Sequence, residues 1–67
     1  MFTLEEQIAE VQREIGLRRA CYPAWVKNGK LTQAEASRQL QVMVEVLKTL
    51  RRIDVEQRQM SLFGMGT

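Results

Sequence analysis

The chain has 67 residues, with ten Lys and Arg against eight Asp and Glu and a net charge of +2. This length fits one small domain. The single cysteine excludes an internal disulfide, and because histidine is absent, a zinc site built from Cys and His is excluded too. A charge this small does not by itself indicate nucleic-acid binding, so no direct contact with DNA or RNA is expected.

The usual carriers of acid–base and nucleotide chemistry, histidine and a glycine-rich phosphate loop, are missing from the sequence. We therefore expect a binding protein rather than an enzyme, with no catalytic residues, metal or cofactor. No apolar run exceeds three residues, and the first six residues lack the basic and apolar regions of a signal peptide. These patterns predict a cytoplasmic protein with no membrane segment.

The first predicted helix spans about residues 4–27. Thr3 and Glu6 have the spacing of a capping box, in which each side chain bonds the backbone N–H of the other residue. The apolar residues that follow lie on one helical face: Leu4, Ile8, Val11 and Ile15. Pro23 either kinks this helix or ends and restarts it, and Asn28–Gly29 supplies a left-handed stop.

The second predicted helix spans about residues 33–57, and Thr32 with Glu35 repeats the capping box. One apolar stripe consists of Ala36, Leu40, Met43, Leu47 and Leu50. A second stripe lies beside it at Val42, Val46 and Ile53. The apolar face of this helix is therefore wider than one partner helix can cover.

A short connection between two amphipathic helices predicts an all-α fold, an antiparallel two-helix hairpin over residues 1–57. With the turn near Gly29, the facing pairs are Tyr22 with Leu40, Ile15 with Leu47, and Ile8 with Ile53. A core of this size contributes little stability, and together with the wide apolar face this predicts a homodimer in a four-helix arrangement. The predicted surface for a second copy or another partner consists of Tyr22, Trp25, Val42, Val46 and Ile53.

Residues 58–67 differ in character from the hairpin. Gly64 and Gly66 weaken a helix, so this segment is predicted to be a flexible C-terminal tail. Such an end is a typical place for a linear binding motif.

Within the tail, residues 59–63 read Gln-Met-Ser-Leu-Phe. This segment resembles the peptide by which bacterial polymerases and repair proteins hold the DNA sliding clamp, of pattern Q-[L/M]-[S/D]-L-F. The resemblance implies that Gln59 occupies a polar subsite and that Leu62 and Phe63 fill a hydrophobic cleft. The predicted partner-binding residues are Gln59, Met60, Ser61, Leu62 and Phe63. The alternative is that the leucine and phenylalanine fold back over an edge of the hairpin.

Residues 22–32 read Tyr-Pro-Ala-Trp-Val-Lys-Asn-Gly-Lys-Leu-Thr. They resemble a loop of small temperate-bacteriophage proteins, of pattern Y-P-x-W-V-x-x-G-[K/R]-[L/M]-T, a group that includes a quorum-sensing anti-activator. The resemblance implies a phage protein that acts on a host protein in the bacterial cytoplasm. A structural role for Tyr22, Pro23 and Trp25, which suit the end of a hairpin, is the alternative.

Three functions are therefore expected, in this order. The first is a phage protein that binds the sliding clamp of DNA polymerase III and modulates or inhibits host replication. The second is an anti-activator that inhibits a host LuxR-type transcription regulator. The third is a small DNA-binding regulator, because residues 31–36 resemble the first helix of a helix-turn-helix, although the predicted helix continues where a turn should follow.

Overall fold

The computed structural model describes the backbone of residues 1–65 and the side chains of residues 1–59. Helix α1 comprises Leu4–Lys27 and helix α2 comprises Gln33–Met65. The two helices pack against each other, and residues 1–65 contain no strand. The predicted all-α hairpin is confirmed.

Both capping boxes are present. The N–H of Glu6 donates to Thr3 Oγ1 at 3.0 Å, and the N–H of Glu35 donates to Thr32 Oγ1 at 3.1 Å. In return, each glutamate carboxylate accepts from the backbone N–H of its threonine, at 3.4 Å in α1 and 3.2 Å in α2. The two helix starts are therefore specified by four-residue segments, independently of how the helices pack.

Helix α1 continues through Pro23, so the break that the sequence left open does not occur. The helix ends instead at a turn in which the N–H of Gly29 donates to the Val26 carbonyl at 3.1 Å. The N–H of Lys30 donates to the Trp25 carbonyl at 2.9 Å. Gly29 has φ of 77°, which is the left-handed conformation that this type of helix end requires and that a side chain disfavours.

The helices run antiparallel with a definite register. The hydroxyl of Tyr22 donates to Gln39 Oε1 at 3.1 Å, and two turns earlier in α1 Ile15 lines one hollow together with Leu47. Residues earlier in α1 thus face residues later in α2. In each facing pair, the position number in α1 and the position number in α2 add up to 61 or 62. This register agrees with the expected facing pairs.

The interior of the hairpin is small. Among residues 1–59, the buried apolar side chains are those of Ile15, Tyr22 and Ala36, which are 4–6% exposed. Other stripe residues of both helices, such as Ile8 in α1 and Leu47 in α2, are only half-buried. One core in a chain this short contributes about 3–5 kcal/mol at most.

Helix α2 extends to Met65, about two turns beyond the end expected near Gln57. The segment from Gln33 to Phe63 contains neither Gly nor Pro. Asp54 and Arg58 also form an ion pair one turn apart, with 3.1 Å between Oδ2 and the guanidinium. Local propensity therefore favours helix past the expected boundary.

The extension of α2 changes one part of the tail prediction, which is the backbone conformation of its first residues. The backbone of its first part, up to Met65, is helical, because one glycine at position 64 costs a formed helix only about 1 kcal/mol. The flexibility of residues 58–67 stays a prediction, and residues 66–67 lie outside the described residues. Within the described residues, neither α1 nor α2 contains a stretch with the length and apolar composition of a membrane-spanning helix.

Candidate functional site

The predicted clamp-binding motif starts on the last turns of α2. Gln59 lies on the helix with an exposed side chain. The side chains of the other motif residues, at positions 60–63, lie outside the described residues, although their backbone is helical. The structure thus places the motif at the end of the longer helix, in a helical rather than an extended conformation.

The register shows how far along α2 the contact with α1 can extend. Because facing positions sum to about 62, Leu4 at the start of α1 lies level with about position 58 of α2. The backbone of residues 59–65 therefore projects beyond the start of α1. Met1, Phe2 and Thr3 precede that start, and Phe2 is 75% exposed.

Positive charge precedes the motif. Arg51 and Arg52 are exposed, and neither takes part in an ion pair among the described side chains. Arg58 is also exposed but pairs with Asp54 on its own helix. Two uncompensated guanidinium groups thus lie within three turns of the motif.

The phage-like loop places two aromatic rings together. The ring centroids of Tyr22 and Trp25 are 5.6 Å apart with the planes tilted by 40°, a favourable aromatic contact. Tyr22 is only 6% exposed, whereas Trp25 is 43% exposed. Of these two predicted partner-binding residues, Tyr22 belongs to the interior of the hairpin and Trp25 is available at its surface.

One side of the hairpin is apolar and uncovered. Gln39, which Tyr22 binds, lies on the same side of α2 as Val42 and Val46, at spacings of three and four residues. The two valines are 51% and 40% exposed, and Ile53, two turns after the second valine, is half-buried. We call this surface the valine face: Trp25, Val42, Val46 and Ile53.

An open hollow that the sequence did not suggest borders the valine face, because Val42 and Glu45 belong to its lining. Its volume is about 680 Å³, and its lining includes Leu40 and Val44 together with the cationic groups of Arg19, Arg38 and Lys48. Gly16 lies in a neighbouring hollow, and no atom is within 4 Å of the place where its Cβ would be. The apolar stripes in the sequence did not indicate this hollow, because the hollow depends on how the two helices are rotated relative to each other.

The ion pairs are local. Among the described side chains, four pairs form, and each joins residues three or four apart on one helix. Among these pairs, none joins a carboxylate of α1 to a basic residue of α2. Exposed pairs of this kind add little stability.

These pairs and the caps shift a few pKa values. The hydrogen bond from Arg13 lowers the pKa of Glu10 and raises that of the arginine. The hydrogen bonds of the Thr32 cap lower the pKa of Glu35. These groups are at the surface, and each interacts with a residue three positions away in the chain, so the shifts do not point to catalysis.

The remaining candidates for chemistry are sparse. Cys21 is a free, half-buried thiol on α1. Within the described residues, no group of three or more His, Cys, Asp or Glu side chains is placed to hold a metal ion. The features that stand out are therefore the end of α2 and the valine face.

In comparisons with known proteins, the chain matches no protein-family model, no curated protein and no solved structure.

Proposed function

We propose that this chain is a phage-encoded protein that binds the bacterial DNA polymerase III sliding clamp through residues 59–63 and thereby inhibits or modulates host replication in the host cytoplasm. The observation that carries the proposal is the position of this segment. It starts where the cover of α1 ends, at the exposed Gln59. A partner can therefore reach it without opening the hairpin.

The motif must leave its helix to bind as an extended peptide, and the cost of this step is small. Helix ends fray readily, because terminal turns lose few hydrogen bonds. Gly64 favours the unwound state by about 1 kcal/mol relative to Ala. The last turn also lacks a basic residue that would stabilise the helix dipole.

The anchoring energy exceeds this cost. Each of the two adjacent apolar side chains, Leu62 and Phe63, contributes about 1.5–3 kcal/mol when it moves from water into a pocket. The amide of Gln59 supplies a donor and an acceptor for the polar edge of that pocket. Arg51 and Arg52 attract an acidic partner such as the clamp and speed the encounter.

Binding at this site competes with the polymerase, because two peptides cannot occupy one pocket. Excess protein would displace polymerase from the clamp, which would slow replication. A short synthetic peptide with the sequence Gln-Leu-Ser-Leu-Phe should compete for the same pocket.

The test is a binding titration of the full chain against purified bacterial sliding clamp, with that peptide as competitor. The double substitution Leu62→Ala, Phe63→Ala should reduce affinity by about a hundredfold or more. Val55→Ala is the matched control, because Val55 is an exposed apolar residue of the same helix, 52% exposed, outside the motif. Unchanged affinity of the double variant, or binding that the peptide does not displace, would reject this function.

A second function is favoured by Trp25. This side chain is 43% exposed beside the turn and contacts the ring of the buried Tyr22, so it offers an aromatic anchor to a partner. Such an anchor suits an anti-activator that inhibits a host LuxR-type transcription regulator. Removal of residues 59–67 separates the two functions: it abolishes clamp binding, whereas binding of a regulator through the helices survives.

The third expectation, a small DNA-binding regulator, gains no support. A recognition helix would have to follow residues 31–36 after a short turn, but α2 is one helix over Gln33–Met65. A flat salt dependence in a DNA titration would remove this option.

A further inference from the structure

The valine face is too apolar to be an ordinary free surface for so small a hairpin. Val42, Val46 and Trp25 are 40–51% exposed, and they lie on one side of the molecule with Ile53. Meanwhile the described residues include no side chain that is less than 2% exposed. The hairpin therefore lacks a complete interior and has an apolar face that would complete one.

The spacing on this face is that of a helix seam. Val42, Val46, Thr49 and Ile53 recur at intervals of four, three and four residues, which is the a/d pattern by which two helices interdigitate. Gln39 precedes them, but its amide oxygen is already engaged by the hydroxyl of Tyr22. The seam thus covers about three turns in the middle of α2.

The edge of the seam carries charges of alternating sign. Arg38, Glu45 and Arg52 follow one another at seven-residue intervals beside the seam, and all three are exposed. Neither arginine has an ion pair among the described side chains. Glu45 contacts Lys48 at 3.4 Å, but both side chains are about 70% exposed, so this pair is weak and easily exchanged.

We propose that a second copy of this chain covers the valine face, with the two α2 helices antiparallel about a two-fold axis that passes near Leu47 and Lys48. In this register Val46 packs beside the partner's Thr49, and Val42 packs beside the partner's Ile53. Glu45 then lies next to the partner's Arg52, and symmetry produces this ion pair twice.

The charges select this orientation and this occupant. In a parallel pair, each edge residue would meet the residue five positions later on the other chain, which places Glu45 beside the partner's Leu50 and leaves all three charges without a partner. The antiparallel pair satisfies Glu45 and Arg52 together. Because one chain supplies both members at matching distances from the axis, the face is complementary to itself.

The first test is sedimentation equilibrium of the full chain over a range of concentrations. The wild type should sediment as a dimer, at twice 7.8 kDa. Val46→Asp should weaken the dimer by about a hundredfold or more, because it buries an unpaired carboxylate in each copy. Val55→Asp is the matched control, since Val55 is also an exposed valine but lies on the other side of α2, and it should leave the dimer unchanged.

A charge exchange tests the register and does not depend on whether the aspartate variant folds. Glu45→Arg and Arg52→Glu should each weaken the dimer by about threefold to tenfold, and the double variant should recover the wild-type affinity to within about threefold. Circular dichroism should show unchanged helix content in all three variants. A monomeric wild type, a folded Val46→Asp variant that dimerises normally, or a double variant no tighter than the single ones would overturn the proposal.

Discussion

At the turn, α1 and α2 are tied by several specific contacts, whereas at the other end α2 continues past the start of α1. The turn end holds the buried Tyr22 and Ala36, the hydrogen bond to Gln39, and a helix stop at Gly29. At the open end, Phe2 and Gln59 are exposed. The same two helices thus provide a turn end, whose contacts set the register, and an open end, where α2 projects beyond α1. We predict that the open end gives up its last turns to a partner.

The largest effect should come from breaking the turn end. Tyr22→Ala removes a ring that is 6% exposed together with its hydrogen bond to Gln39, so the free energy of unfolding should fall by about 3 kcal/mol or more. Urea titration monitored by circular dichroism measures this loss. Tyr22→Phe should lose only about 1 kcal/mol, because it keeps the ring and removes the hydroxyl.

The matched change at the open end is removal of residues 59–67. It should lower the free energy of unfolding by less than about 1 kcal/mol, because this segment lies beyond the cover of α1. A loss as large as that of Tyr22→Ala would show that the open end contributes as much stability as the turn end, and would contradict the proposed difference between the two ends.

The helix stop should show the next largest effect. Gly29 has φ of 77°, so Gly29→Ala should cost about 1–2 kcal/mol by forcing a side chain into the left-handed conformation. Gly29→Asn should cost less, because asparagine tolerates this conformation. Equal losses for the two variants in urea titrations would argue against a conformational cause.

A smaller effect is expected on clamp affinity when the open end of α2 is made more helical. Gly64→Ala should stabilise the last turn of α2 by about 1 kcal/mol and so weaken clamp binding by about fivefold, if the motif must unwind. Gly16→Ala is the control: it adds the same helix propensity at a site with open space around the new Cβ, and clamp affinity should not change. Tighter binding by Gly64→Ala would mean that the motif binds as a helix.

The smallest effect is that of pH at the turn end. The cap lowers the pKa of Glu35 below its ordinary value of 4.5, so the ionised carboxylate stabilises the folded chain above that pH. This stabilisation should be lost as the pH falls from 4.5 through the lowered pKa. Glu35→Gln should flatten that part of the profile when the urea midpoint is followed against pH, and an unchanged slope would count against the cap.

Much of the hairpin was predictable, because its determinants are local. Thr3 with Glu6, and Thr32 with Glu35, mark the helix starts within four residues each, and Gly29 marks the turn. The end of α2 was placed too early, near Gln57, because Gly64 and Gly66 were taken to keep the segment before them from forming a helix. Propensity shifts of about 1 kcal/mol move a helix end by several residues.

The candidate site was only partly predictable, because burial depends on how the helices rotate against each other. Tyr22 and Trp25 are three residues apart in one motif, yet the first is buried in the hairpin and the second is exposed. The sequence indicated Val42 and Val46 as a second stripe but not how much of it α1 would cover. The hollow lined by Arg19 was not anticipated, since residues of both helices contribute to it.

The sequence by itself determined where both helices begin, how the turn is made and which residues share a stripe, since each depends on side chains and backbone groups a few positions apart. Only the tertiary structure decided how much of the valine face α1 leaves uncovered and where along α2 the contact with α1 ends. These two features follow from the rotation and the register of two packed helices, which no short stretch of the chain contains.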